Sequence, residues 1–308
     1  MGNFLGGSAY AMSRDIAEGF VLLNANLLKK FTVAELAQLR HHLEKVQKEV
    51  RSEQPPLDDI QAIQPGIRMI GAIISSTDNI KNLSTLQIDN RLLADPRKLA
   101  NDREVQAIMT GAQAVVAIGC SIHASEIGAT QSANDLLYEL ATADDERTVR
   151  MLDRVVVILI PSLNPDGHVL VTDWHKTMQG TPFDGGQMPW SYHKYVGHDI
   201  NRDAFMLNMT ENRTLARFFS REWHPQVFLA MHQMGSNGPR FFVPPNYDPI
   251  DPNQDPLIWR QAALLGSAMA LELESQGKSG VVSNAMYDYY WPGYEDSAPL
   301  GRNTVCLL

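Results

Sequence analysis

Two spacings of apolar residues divide this chain. Leu36, Leu39, Leu43, Val46 and Val50 recur at intervals of three and four, which places them on one face of an amphipathic helix. Thr32-Val33-Ala34-Glu35 at its start has the form of a capping box, in which hydroxyl and carboxylate satisfy backbone donors that a helix leaves unpaired. Pro55-Pro56 ends the segment, since proline lacks an N–H and disfavours a helical residue before it. Beyond it the pattern changes to continuous apolar runs over residues 69–74, 114–119 and 155–160, the form expected of strands buried on both faces. Residues 227–230 and 241–243 are further strand candidates. A helix from about Glu126 to Ala141 separates two of the runs, so strand, helix and strand form a βαβ unit and imply a partly parallel sheet flanked by helices. Residues 256–276, rich in Ala and Leu with Pro256 at the start, predict another helix. The expected organisation is an N-terminal helical preface over residues 1–56 and one α/β domain over residues 57–308.

Charge narrows the partners. Lysine and arginine number 26 against 35 acidic residues, a formal net charge of −9, and no basic block occurs; nucleic acid is not expected as a partner. Cys120 and Cys306 each lie within an apolar run, which points to burial as small hydrophobes rather than a disulfide framework. No stretch approaches a membrane span, and Met1-Gly2-Asn3-Phe4-Leu5 lacks the basic start and long apolar core of a signal peptide. No membrane partner is expected, whereas compartment and oligomeric state are left open.

The chemistry-bearing residues cluster where strands end. His123 and Glu126 follow the second run, and His232 follows the run ending at Ala230. Two imidazoles and a carboxylate are a ligand set suited to one catalytic zinc ion with a position left for water, and open α/β sheets bind ligands outside the carboxyl ends of their strands. Three other segments accompany them. Asn164-Pro165-Asp166-Gly167 follows the third run and favours a tight turn. Gly197-His198-Asp199-Ile200-Asn201-Arg202-Asp203 sets an asparagine and an arginine among acids, as in a solvated loop. Arg240 enters a strand shortly after His232.

Together, His123-x-x-Glu126, Asn164-Pro165-Asp166-Gly167, Asn201-Arg202 and His232, in this order, resemble the zinc metallocarboxypeptidase family. Tyr192-His193-Lys194-Tyr195-Val196-Gly197-His198-Asp199 resembles a bacterial branch of it. The resemblance implies an α/β fold built as a single domain, with a mixed, twisted sheet of roughly eight strands and helices on both faces. It implies one zinc ion held by His123, Glu126 and His232, and a peptide substrate whose free C-terminal carboxylate is gripped by Asn201 and Arg202. Arginine suits that grip because its planar fork donates two parallel hydrogen bonds to one carboxylate. A zinc amidase or deacylase acting on small acylated amino acids or cell-wall peptides, and an inactive metal- or peptide-binding module, are the competing functions.

The match departs from the family in two places. The arginine expected to stabilise the oxyanion is missing between the Asn-Pro-Asp-Gly segment and Asn201, where only His175, Lys176, His193 and Lys194 stand; Arg240 is the preferred substitute. The general base, a glutamate on a late strand, is not found. Asn303-Thr304-Val305-Cys306-Leu307-Leu308 resembles that strand cut just before it, so the expectation is a C-terminally truncated chain with its base outside. Glu295 and Asp296 are read as solvated loop acids, and Tyr287, Tyr289, Tyr290 and Tyr294 are equivalent candidates for a tyrosine over the substrate.

Overall fold

In the computed structural model, residues 4, 7–17, 30–52, 67–189, 196–235 and 237–308 are described, so the Pro55-Pro56 break, the expected boundary at 56/57 and Tyr192-His193-Lys194-Tyr195 lie outside the described residues. The chain separates into two units, Met1–Arg68 and Met69–Leu308.

In the first unit, α1 (Ala9–Ala17) and α2 (Val33–Ser52) enclose buried Met12, Phe31 and Leu39. The capping box is formed as read: the Thr32 N–H donates to Glu35 Oε2 at 2.8 Å, and the Glu35 N–H donates to Thr32 Oγ1 at 3.2 Å. Two of the donors that α2 would otherwise leave unpaired are thereby satisfied.

The second unit is built on strands β1 (Ala72–Ile74), β2 (Ala114–Cys120), β3 (Val155–Ile160), β4 (Val227–Met231), β5 (Phe241–Phe242), β6 (Val281–Val282) and β7 (Val305–Leu307). Five of them form a mixed sheet in the order β1-β3-β2-β4-β7, with β1 antiparallel to β3 and the other pairings parallel. Instead of one sheet of roughly eight strands, the described residues carry this five-stranded sheet and a separate β5-β6 pair. The strand candidate at residues 241–243 forms at 241–242, in the smaller sheet; Pro239, Pro244 and Pro245 confine it, because proline contributes no donor to a ladder. The first run is also shorter than its apolar pattern, since only residues 72–74 find partners on β3.

Helices α3 (Thr77–Lys81), α4 (Leu83–Ala94) and α5 (Asp102–Gly111) precede β2, and α6 (Ile127–Thr142) with α7 (Glu146–Leu152) links β2 to its parallel neighbour β3. This is the expected βαβ crossover. Gly119 on β2 accommodates Leu163 and Phe228, whose atoms would lie 2.8 and 3.0 Å from any added Cβ. Cys120 and Cys306 are buried free thiols, and burial, followed by the charge of Glu295, pushes Cys120 up to about 11. α8 (Pro165–Met178) and α9 (Thr210–Arg217) follow β3, and α10 (Pro256–Ser275) lies between the two short strands. No helix among the described residues is long and apolar enough to cross a membrane.

The strand order determines where a site can form. From β2 the chain first adds β3 on one side and later β4 on the other, so their connections leave in opposite directions and open a crevice at the carboxyl ends of β2 and β4.

Candidate functional site

Both histidines enter that crevice. Beyond β2 the backbone turns through Ser121, whose left-handed φ of 51° is uncommon for a residue other than glycine. The buried Ser121 hydroxyl donates to the Glu126 carbonyl at 2.7 Å, and the Glu126 N–H donates to the His123 carbonyl at 3.0 Å. Glu126 is the residue before α6, rather than part of its first turn, and its side chain caps nothing. The carboxylate is therefore available to the imidazoles. His123 Nδ1 lies 2.9 Å from Glu126 Oε1, and His232 Nδ1 lies 2.9 Å from Glu126 Oε2. One ligand atom from each of the three side chains lies within 4.8 Å of the others.

The far nitrogens face other carboxylates. His123 Nε2 is 3.2 Å from Asp199 Oδ2, and His232 Nε2 is 3.4 Å from Glu295 Oε1, within ion-pair range but outside hydrogen-bond geometry. Each imidazole is thus flanked by Glu126 at Nδ1 and by a second carboxylate at Nε2, an arrangement that fixes ring orientation in metal sites. Burial opposes charge on His123, but hydrogen bonds to Asp199 and Glu126 outweigh it and raise the imidazole to about 9. His232 is raised to about 10 by Glu126 and Glu295, again against burial. Glu126 is itself lowered to about 2, its two imidazole hydrogen bonds overcoming desolvation. Two nitrogens and one carboxylate oxygen so close together are a donor set that zinc accepts, so the residues present fit that ion.

Asn164 is fully buried and supports this arrangement. Its Oδ1 accepts the Gly167 N–H at 3.0 Å as the cap of α8, while its Nδ2 donates to the Ile122 carbonyl beside His123 at 3.1 Å. The Asn-Pro-Asp-Gly segment is therefore a helix start and not a tight turn: Pro165 occupies the first helical position, where its missing N–H costs nothing.

Residues 70–246 match the profile described as zinc carboxypeptidase. The chain belongs to the zinc carboxypeptidase family. Solved structures similar to it include a putative carboxypeptidase A from Shewanella denitrificans, with 20% identity over 63% of this chain and 45% of that one and a TM-score of 0.43. A metallo-carboxypeptidase from Burkholderia cenocepacia has 17% identity over 65% and 48%, with a TM-score of 0.45. One from Pseudomonas aeruginosa, in complex with (2-guanidinoethylmercapto)succinic acid, has 18% identity over 63% and 47%, with a TM-score of 0.46. The chain spans about half the length of these structures. No curated protein matches its sequence.

Within this member of the family, the other residues singled out in the sequence take different positions. Asp199 precedes a short 3₁₀ turn, Ile200–Arg202, accepts the Asn201 N–H at 2.8 Å, and lies 3.3 Å from Arg202 Nη1. One carboxylate therefore joins Arg202 to His123. The sequence marks the loop but not this acid, whose signal is its place two residues before Asn201-Arg202. Asn201 is buried, and its Oδ1 accepts the Glu295 N–H at 2.8 Å. The Tyr294 ring lies 4.7 Å from the Arg202 guanidinium, whereas Tyr289 is buried in the core and Tyr290 is exposed. The structure thus separates tyrosines that looked equivalent. Arg240 is exposed just before β5, its stem beside Gly280, and no hydrogen bond or ion pair among the described residues joins its side chain to the histidines. His175 and Lys176 are exposed in the last turn of α8, and His193 and Lys194 lie outside the described residues.

Glu295 and Asp296 are not solvated loop acids; their residues are 4% and 0% exposed. The Gly- and Pro-containing loop turns inward because Asn201 captures the Glu295 backbone and the following 3₁₀ helix, Ala298–Arg302, buries Pro299 and Leu300. Burial pushes both carboxyls up, with His232 partly offsetting the rise in each.

Proposed function

We propose that this chain carries the zinc site and carboxylate grip of a metallocarboxypeptidase that hydrolyses C-terminal peptide bonds. The observation that carries this reading is the convergence of His123 Nδ1, Glu126 and His232 Nδ1, with Arg202 joined to the cluster through Asp199. His123, Glu126 and His232 would hold one zinc ion, which supplies Lewis acidity that polarises the scissile carbonyl and acidifies water. Arg202 and Asn201 receive the substrate's terminal carboxylate. The Tyr294 face keeps the Arg202 guanidinium oriented. Asp199 holds the far edge of His123 and steadies Arg202, so metal ligation and carboxylate recognition share one positioning residue. Glu295 contacts the edge of His232 opposite the converging nitrogens, which suits a positioning role rather than a general base. For the oxyanion, Arg240 is retained as the candidate; full turnover in Arg240→Ala together with loss in Lys176→Ala would transfer the role to Lys176.

Peptides differing only in a free or amidated C-terminus test the proposal. Amidation, or Arg202→Ala with the free peptide, is expected to reduce kcat/KM about 100-fold, since each removes one side of a charge-assisted bidentate contact. Equal cleavage of both peptides would instead identify an amidase or deacylase. Asp199→Ala is expected to weaken zinc binding roughly 10- to 100-fold, the usual cost of deleting an outer carboxylate that orients a histidine ligand. Competition against a chromophoric chelator measures this, and unchanged affinity would remove Asp199 from the metal site.

A further inference from the structure

A second cavity, of about 560 Å³, opens at the other end of the sheet. Its walls come from the end of α4 and the turn after it, the helical turn Phe218–Glu222 with His224 before β4, and the turn before β7. β4 and β7 are parallel, so their leading ends lie across the sheet from the crevice that holds His232. Five cationic side chains line this cavity, and Asp95 is its one carboxylate. That concentration occurs in a chain whose formal net charge is −9.

Charge pairing inside the cavity is incomplete. Asp95 is shared by Arg97 at 2.7 Å and Lys98 at 3.4 Å. Among the described residues, Arg91, Arg221 and Arg302 have no carboxylate within ion-pair distance. Three guanidinium groups from three separate elements therefore face one basin without counter-charge, which favours an anion there.

The frame around the basin is internally tied. Asn90 Nδ2, from α4, donates to the carbonyls of Trp223 and His224. Gln226 Nε2 donates to Asn90 Oδ1 at 2.7 Å and to the His224 carbonyl at 3.0 Å, while its Oε1 accepts the Val115 N–H at 2.7 Å. The Thr304 hydroxyl donates to the Pro225 carbonyl at 2.9 Å. This network holds all three walls together and keeps His224 at a left-handed φ of 47° on the cavity surface. Burial, followed by the fields of Arg91, Lys98 and Arg302, keeps the His224 imidazole below its ordinary range. Arg91, Lys98 and Arg302 are thus close enough to act on the His224 imidazole.

We propose that this basin binds a small polyanion bearing phosphate groups, with Arg91, Arg221 and Arg302 as its main ligands. Planar guanidinium forks pair with phosphate oxygens in a bidentate manner, and the volume lies within the roughly 300–1,000 Å³ of small-molecule sites. Ala94 is the one apolar residue lining it, so recognition rests on charge.

Calorimetric titration with inorganic tripolyphosphate, with sulfate as comparison at constant ionic strength, tests the site. One saturable event is expected, about tenfold or more tighter for tripolyphosphate than for sulfate. The double variant Arg221→Gln/Arg302→Gln should weaken it about tenfold or more, while Arg260→Gln on the exposed surface of α10 should stay within about twofold. Arg91→Gln/Arg221→Gln provides the same comparison without altering the turn before β7. The proposal is overturned by absent saturation, by equal affinity for sulfate, by undiminished binding in the folded double variants, or by an equal loss in Arg260→Gln.

Discussion

His232→Ala is expected to weaken zinc binding about a thousandfold and to abolish the thermal stabilisation by zinc expected of the wild-type chain. Zinc sites built from a few protein ligands bind with about 10–16 kcal/mol in well-studied small domains. Deleting one of three ligands should therefore remove on the order of 4 kcal/mol, or a factor of about a thousand. Geometry makes the loss hard to repair, because the His232 Nδ1 contact with Glu126 Oε2 at 2.9 Å comes from a separate strand end. The nearby Gln233 reaches Glu126 through its backbone N–H, at 3.1 Å, and brings no equivalent donor nitrogen. Wild type with free zinc at a hundred times its dissociation constant should gain about 2.7 kcal/mol of stability, and the variant should gain none at that concentration. Chelator competition and thermal unfolding read the two effects separately. Retention of wild-type affinity would remove His232 from the metal site.

Gly266→Ala is expected to destabilise the second unit by about 3 kcal/mol or more. Helix propensity alone predicts the reverse, since alanine is better than glycine in a helix interior by about 1 kcal/mol. Here α10 passes so close to the chain after β5 that an added Cβ would overlap the Pro244 carbonyl oxygen and carbon. Both are backbone atoms, so no rotamer change relieves the overlap. The helix must move away from a core that includes Ile258, Ala262, Leu300 and Leu307. For a unit of this size, the loss corresponds to roughly 6–12 °C in Tm. Gly111→Ala, at the end of α5 with nothing within 4 Å of the new Cβ, is the control and should be neutral or stabilising. Denaturant unfolding of both variants decides the matter; Gly266→Ala at or above wild-type stability would rule out the close approach.

Legibility varied with the kind of signal. β3 coincides with its apolar run, and β2 and β4 each extend one residue beyond theirs, because continuous apolar runs of strand length suit the interior strands of a parallel sheet. The capping box before α2 and Pro256 at the start of α10 were equally readable, since both depend on chemistry within a few residues. The Asn-Pro-Asp-Gly segment misled, as the same dipeptides start turns and helices, and only the pairing of Asn164 with Ile122 distinguishes them. Glu295 and Asp296 misled for a related reason: loop composition reports local conformation, whereas their burial is imposed by Asn201, which lies 94 residues from Glu295 in the chain.

By itself the sequence determined the α/β class, the parallel crossover between β2 and β3, and the identity of a His-Glu-His cluster at strand ends. Those features follow from periodicity, residue chemistry and order along the chain. Tertiary structure alone decided that each imidazole is held at its far edge by Asp199 or Glu295, that Tyr294 rather than Tyr289 or Tyr290 faces Arg202, and that Arg91, Arg221 and Arg302 surround one basin. Each depends on which distant segments the sheet order makes neighbours, and local residue patterns do not encode that order.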